Sequence, residues 1–542
     1  MRFQIGKHTR LTLMAGVLGA GALSQVGCGA PADELGTALP AETLGSTAAP
    51  SYEEFKAGVT REVGTGAFLV DGDVVLHSEE QLRTFYERNV QSGDLIVHAA
   101  ASYGDSRWTY GQRLNLTYCV STAFGGNYGR IVQATAEAAA AWQAVANVRF
   151  IHLSGQDGAC DASNPNVVFD VNPTSGQSYA ARAFYPDYAR VWRNILVDSS
   201  AFGSISPFTL AGIMRHELGH ALGFDHEHIR PESGACFENN AWRPLTGYDA
   251  ASVMHYPHCN GANSGDYVLT ATDAFGVKAL YGGNFLLQTG TVLPQMGTNA
   301  TFALAPGSND LFIILQSGTG THTTEVHVLS AASNYQQFTV HLPTALHETD
   351  GNWAFAVAAN RDLFAINKAG GSGTTEVHVL SAASNYQQFS AHLPTALHPT
   401  NSASWEFEVA ADNRDVFAIN KSGGNSRADV HVLSAASNYQ QFSAHISTAM
   451  YATNSASYEF TLAENRDVVV VSKISDSVSS GATEMFVLSA ASGYQSLSKG
   501  STAFPQADST WNFFLNSARD LVGVKRTQTG SGTTEVHIAD MQ

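Results

Sequence analysis

Apolar and polar positions divide the chain into stretches of different period. Leu11 to Gly27 is largely apolar and rich in Leu, Ala and Gly, with Arg2, Lys7 and Arg10 before it and Cys28 directly after it. That order predicts an export signal over residues 1–28 rather than a spanning helix, and no later stretch is apolar enough to cross a bilayer. Ala30 to Ser51 has no apolar period and predicts a flexible tether. Alternation predicts strand in Ala67 to Leu76, turning at Asp71-Gly72-Asp73, and Glu79 to Val90 has helical spacing. From about Trp108 to Gly282 strands and helices take turns. Leu114 to Val120, Val167 to Val171 and Asn194 to Val197 read as strands, and Val132 to Val145 and Leu210 to Leu222 as helices. This order predicts an α/β domain with helices covering one face of a sheet.

Past Gly283 the pattern changes to short strands that repeat. Thr323 to Phe338 (TTEVHVLSAASNYQQF) returns at Thr374 to Phe389 and, altered, at Ala428 to Phe442 and Ala482 to Leu497, with a partial copy at Thr533 to His537. An aromatic residue, Phe302, Trp353, Trp405, Tyr458 or Trp511, recurs between copies, followed by an Asn/Ser-Asn/Arg-Asp turn and a further strand. The period is roughly 50 residues with about four strands per unit, which predicts a five-bladed propeller over residues 284–542, with a linear β-array as the alternative. The last unit stops after three strands, and Asn284 to Gln288 with Val292 to Pro294 read as the missing fourth, which would close a ring without open edges.

Length and composition fit this multidomain picture. A chain of 542 residues is too long for one core. Its net charge of -18 argues against nucleic acid as a partner. Cys119, Cys160, Cys236 and Cys259 fall in the α/β region and predict two disulfides, with Cys119–Cys160 and Cys236–Cys259 favoured because neighbours close the shortest loops. Cys28 is left over. The run Gln25-Val26-Gly27-Cys28 resembles a bacterial lipobox, departing from it at Gln25 where Leu is usual. The protein is therefore expected outside the cytoplasm, either secreted or held to a membrane only by a lipid on Cys28.

The strongest chemical signal is HELGHALGFDH, His216 to His226. A separation of four puts His216 and His220 on one helical face, where both rings can reach one zinc ion. Gly223 sits where the chain must turn sharply, so that His226 can swing back as third ligand. Glu217 adjoins the same face, close enough to act as general base without being a ligand. A single Zn2+ per chain with three neutral ligands keeps its positive charge and an open position, which suits hydrolysis of a peptide bond.

At these residues the sequence resembles the astacin branch of the metzincin zinc proteases. His226-Glu227-His228-Ile229-Arg230-Pro231 matches the residues that follow the third ligand in that family, and Ser252-Val253-Met254-His255-Tyr256 matches its Met-turn. The resemblance spans about Ala100 to Gly282 and implies an α/β (α+β) catalytic domain over 100–283 with a twisted mixed sheet and an active-site helix. It makes Met254 a packing floor beneath the metal, and Tyr256 a movable extra ligand that can stabilise the oxyanion; the alternative for Tyr256 is an ordinary packed tyrosine. His228, His255 and His258 match no ligand position and are expected to be structural or surface residues. Tyr179 to Pro186 and Asn194 to Asp198 look nearer the matrixin edge-strand region, which leaves the subsites open.

The family's precursors carry a Gly-Asp in a prosegment whose carboxylate blocks the metal. Val70-Asp71-Gly72-Asp73-Val74 fits, so residues 29–99 are expected to hold tether and prosegment, with Asp73 the switch ligand, Asp94 a weaker rival and a plain hairpin turn the alternative. Cleavage is expected between His98 and Ser102, and the new amino group could pair with Glu227. The repeats resemble tachylectin-like sugar binders, in which Asp362, Asp415, Asp467 and Asp520 could orient the hydroxyls of a glycan or cell-surface ligand; alternatively Asn-Arg-Asp is a turn and His327, His378 and His431 merely line one strand face. Two functions compete: a zinc endopeptidase acting on proteins or peptides with a targeting module, and a zinc-bearing carbohydrate-binding adhesin. Glu217 favours the enzyme, because a structural zinc site needs no base.

Overall fold

The computed structural model describes residues 51–70, 73–86, 99–100, 104–203, 206–236, 243–263, 265–400, 403–453, 456–474 and 480–541. The expected signal, tether, Cys28 and Asp94, most of the expected cleavage segment, and Asp71 and Gly72 of the turn lie outside the described residues.

The middle of the chain folds into a five-stranded mixed sheet. Its order is Phe150–His152, Leu116–Val120, Phe169–Thr174, Asn194–Asp198 and Ala181–Arg182. The first four are parallel, and the edge strand Ala181–Arg182 runs against its neighbour. Short helix Tyr110–Arg113 takes the residues before the first of these strands, so that strand begins at Leu116 rather than Leu114. Helix Tyr128–Val145 buries Ile131, Ala134, Thr135, Ala138, Ala139 and Trp142, a stripe of helical period. Its alanines let it lie close against helix Leu210–Ala221, and Trp142 Nε1 donates to the Arg215 carbonyl at 2.9 Å. The disulfides join Cys119 to Cys160 and Cys236 to Cys259, the favoured pairing.

A small sheet, Thr60–Arg61, Phe68–Val70 and Val74–Leu76, precedes this domain, with Val70 opposite Val74. The expected helix is present as Glu79–Phe85. Ala67, Leu69 and Val75 bury themselves against Tyr179 and Leu196 of the larger sheet's edge region. Polar contacts fix the same seam: Glu62 is ion-paired with Arg182 Nε at 2.8 Å and accepts from the Tyr179 hydroxyl at 2.5 Å. Gln177 lends its side-chain amide to both backbone groups of Val63, as a neighbouring strand would.

Residues from Phe285 onward form five antiparallel four-stranded sheets. Four are sequential; the fifth joins Trp511–Leu515, Leu521–Lys525 and Thr533–Ala539 to Phe285–Pro294, so the strand that begins the region completes its last sheet. The first strands of the sheets touch in order, one to five, and the fifth touches the first. Between sheets Arg361, Arg414, Arg466 and Arg519 adopt positive φ and pair with Asp310, Asp362, Asp415 and Asp467 of the preceding sheet. The first sheet carries Asn309 instead, which exchanges hydrogen bonds with Ser517 across the closing junction.

The two regions are joined through more than the chain itself. Arg113 donates to the Thr502 carbonyl at 2.9 Å, and Lys278 pairs with Asp540 at 2.7 Å. Gly282, at φ +75°, lies so close to the Thr502–Ala503 backbone that a Cβ would meet it at 2.3 Å.

Candidate metal centre

Helix Leu210–Ala221 is capped by the Thr209 hydroxyl, which accepts from Gly212 N at 2.9 Å. It is buried from Gly212 onward on nearly every side, which fixes its rotation. Two glycines let neighbours approach it. A Cβ on Gly219 would lie 2.4 Å from the Met254 sulfur, and one on Gly223 would lie 2.0 Å from the Ser106 carbonyl. Gly223 has φ +98°, the left-handed turn that returns the chain and brings His226 back over the helix.

His216 and His220 each hold Nδ1 at 2.8 Å from a carbonyl, Val253 and Phe224 respectively. A carbonyl only accepts, so both Nδ1 atoms carry the proton and both Nε2 atoms present a lone pair. Those lone pairs point at one place: His216 Nε2 and His220 Nε2 are each 3.2 Å from His226 Nε2. A tetrahedral ion with arms of about 2.0–2.1 Å has ligand-to-ligand edges of about 3.3–3.4 Å. Asp73 supplies the fourth corner, its carboxylate lying 3.6, 3.7 and 3.3 Å from the Nε2 atoms of His216, His220 and His226. All four groups are buried, and Asp73 Oδ1 accepts no hydrogen bond among the described residues. Three converging imidazole nitrogens and a buried carboxylate are a donor set that fits a divalent zinc ion.

The surroundings complete the picture. Burial acts to raise the Asp73 carboxyl, but His226, His216 and His220 outweigh it and hold it well below the usual carboxylate range. Glu217 moves the other way: burial, reinforced by the Asp73 charge, pushes it well above its ordinary value. Glu217 Oε2 has no hydrogen-bond partner among the described residues. The Tyr256 hydroxyl donates to Asp73 Oδ2, and its ring packs on His216 and His226. Met254 is buried under Gly219, and the Cys236–Cys259 disulfide ties the segment after His226 to the segment after Tyr256. A cavity of about 160 Å³ opens beside the centre, bordered by Asp73, Tyr179, Glu217, Tyr256, His258 and Tyr267.

Other side chains beside the centre are buried or paired. His228 and His255 are wholly buried: His228 stacks on Tyr256, and His255 Nε2 is 2.8 Å from the Tyr248 hydroxyl. Glu227 is paired with Arg230 at 3.0 Å and accepts from Asp249 N, and burial pushes its carboxyl up to about 7. Tyr267 packs on His216 from a strained φ of +49°. Its loop is held to the helix by Arg215, which donates to the Asp266 and Tyr267 carbonyls. Sequence reasoning missed Tyr267, and also the Glu62–Arg182–Tyr179 cluster, because each is assembled by tertiary contact rather than by spacing.

In the repeats, Asp362, Asp415 and Asp467 are engaged structurally. Each accepts from the backbone N–H of Ala382, Ala435 or Ala490 in its own sheet and pairs with the arginine of the next. These contacts match the expectation that Asn-Arg-Asp is a turn. No known protein family matches this chain, and no curated protein matches it significantly.

Proposed function

We propose that this protein is a zinc-dependent endopeptidase of the astacin-like metzincin kind, carried by an exported chain and captured in its latent form. The observation that carries this reading is the convergence of three Nε2 atoms on one point, with an acid of raised proton affinity one residue from the first of them. His216, His220 and His226 would hold the ion, which when bound supplies a Lewis acid that polarises a peptide carbonyl and acidifies water. Glu217 Oε2 takes the proton released as water attacks and returns it to the leaving amine. With an ion held by the three histidines, its charge would oppose the effect of burial on Glu217. The Tyr256 hydroxyl, once released from Asp73, can donate to the developing oxyanion. Ala181–Arg182 stands at the edge of the larger sheet, where an extended substrate could lie once the hairpin and Glu62 have left it.

In this reading the N-terminal hairpin is an inhibitory prosegment. Asp73 sits where water and the substrate carbonyl belong, and Glu62, Val63 and the hairpin's apolar face hold it there. The five sheets form a propeller whose place is to target the protease, and a zinc-bearing adhesin remains the competing function. Glu217→Ala decides between them. The protease reading expects zinc to stay bound while hydrolysis of a denatured protein by the processed chain falls by about 10²–10⁴-fold; equal rates for variant and parent would favour the adhesin.

A further inference from the structure

The repeated sheets carry a second kind of histidine cluster. On the third strand of three sheets stand His327, His378 and His431, and register places His341, His392 and His445 directly opposite on the fourth strand. The paired rings lie 4.0–4.1 Å apart between centroids. Two residues before the inner histidine comes a carboxylate, Glu325, Glu376 or Asp429. The fold does not require these pairs, since the fourth sheet places Phe486 opposite Lys499 and the fifth His537 opposite Gln288 at the same register.

In the second sheet the three side chains converge. Glu376, His378 and His392 bring ligand atoms within 4.8 Å of one another. His378 Nε2 is 3.3 Å from Glu376 Oε2, and its ring is 4% exposed. His378 Nδ1 is buried without a hydrogen-bond partner among the described residues, a cost that a bound ligand would remove. Burial and the neighbouring His392 keep His378 below its ordinary pKa, hence neutral and able to coordinate. His392 is exposed, which leaves room for water on an ion.

We propose that Glu376, His378 and His392 form a divalent transition-metal site, separate from the centre on the helix and weaker than it. Two imidazoles and one carboxylate are the donor set that zinc, nickel and copper favour. The sister clusters are poorer. His327 and His341 direct their Nδ1 atoms at each other at 2.9 Å, so the lone pair of one is already engaged. Asp429, one methylene shorter, turns to accept from Gly424 N.

The test is calorimetric titration of Zn2+ into the full chain already carrying one zinc. A second, weaker ion per chain is expected. His392→Gln, which copies the fifth sheet, should weaken that ion at least tenfold, and His378→Phe with His392→Lys, which copies the fourth, should abolish it; neither should change the tight ion. Near-ultraviolet circular dichroism checks that both variants stay folded. Absence of a second ion, or a second ion indifferent to both variants, overturns the proposal. Loss on His341→Gln or His445→Gln instead overturns its assignment to the second sheet.

Discussion

His216 and His220 each donate from Nδ1 to a backbone carbonyl at 2.8 Å, whereas among the described residues buried His378 has no partner for Nδ1 and His431 has none for either ring nitrogen. Both groups place two or more imidazoles within reach of one ion. They differ in what lies behind the rings. On the helix, backbone carbonyls fix tautomer and orientation before any ion arrives, so little ordering remains to oppose binding. In the second sheet His378 is held by packing against Trp353 and Phe389 and by the Glu376 side chain, rather than by the backbone. Donor identity is thus nearly the same in both places, and the proposed difference in affinity rests on what stands behind the rings.

That comparison can be attacked at each layer. The largest effect is expected from His220→Ala, which removes one of the two donors anchored on a backbone carbonyl: zinc affinity at the helix should fall by several orders of magnitude, read by competition against a chelator of known strength. Next comes Glu62→Gln, which leaves Arg182 as an uncompensated buried charge under the hairpin. It should cost about 3–5 kcal/mol of hairpin docking, measured as faster proteolysis of residues 60–76 and as activity gained by the uncleaved chain. Gly219→Ala should follow, because its Cβ would meet the Met254 sulfur at 2.4 Å and Trp142 at 3.3 Å. Overpacking there should cost about 1–3 kcal/mol in thermal unfolding and loosen the helix under two ligands.

The smallest expected effect lies in the repeats. Burial, aided by the Glu406 charge, pushes the Glu408 carboxyl up to about 8. A carboxyl raised in the folded state holds a proton that the unfolded chain has released. Its contribution to stability is therefore complete below about pH 4.5 and is lost as pH rises through about 8. Glu408→Gln should match the parent at pH 4 and exceed it by on the order of 1 kcal/mol above pH 8, discounting for water at a partly exposed group. A constant difference across that range would contradict the assignment.

How much of this was legible beforehand follows from how local each feature is. HELGHALGFDH encodes its own geometry, because a helix and one left-handed glycine bring His216, His220 and His226 together without help from the rest of the chain. The repeat period announced four strands per unit, and the missing last strand pointed to Phe285–Pro294. Asp73 was visible only through resemblance; nothing in Val70 to Val74 itself says that the turn reaches the centre rather than solvent. The partners His341, His392 and His445 were not foreseen, because a register shift between the first and second pairs of each fourth strand sets which residues face each other. The Glu62–Arg182 ion pair joins residues 120 apart in sequence, and no periodicity marks either.

X-ray absorption at the zinc edge, on full-length protein loaded with one equivalent of metal, bears most directly on the three-histidine centre. The account predicts three nitrogen donors at about 2.0–2.1 Å with imidazole multiple scattering and one or two oxygens, and no sulfur. Protein that retains no zinc, or an ion surrounded by sulfur or by oxygen alone, would contradict it.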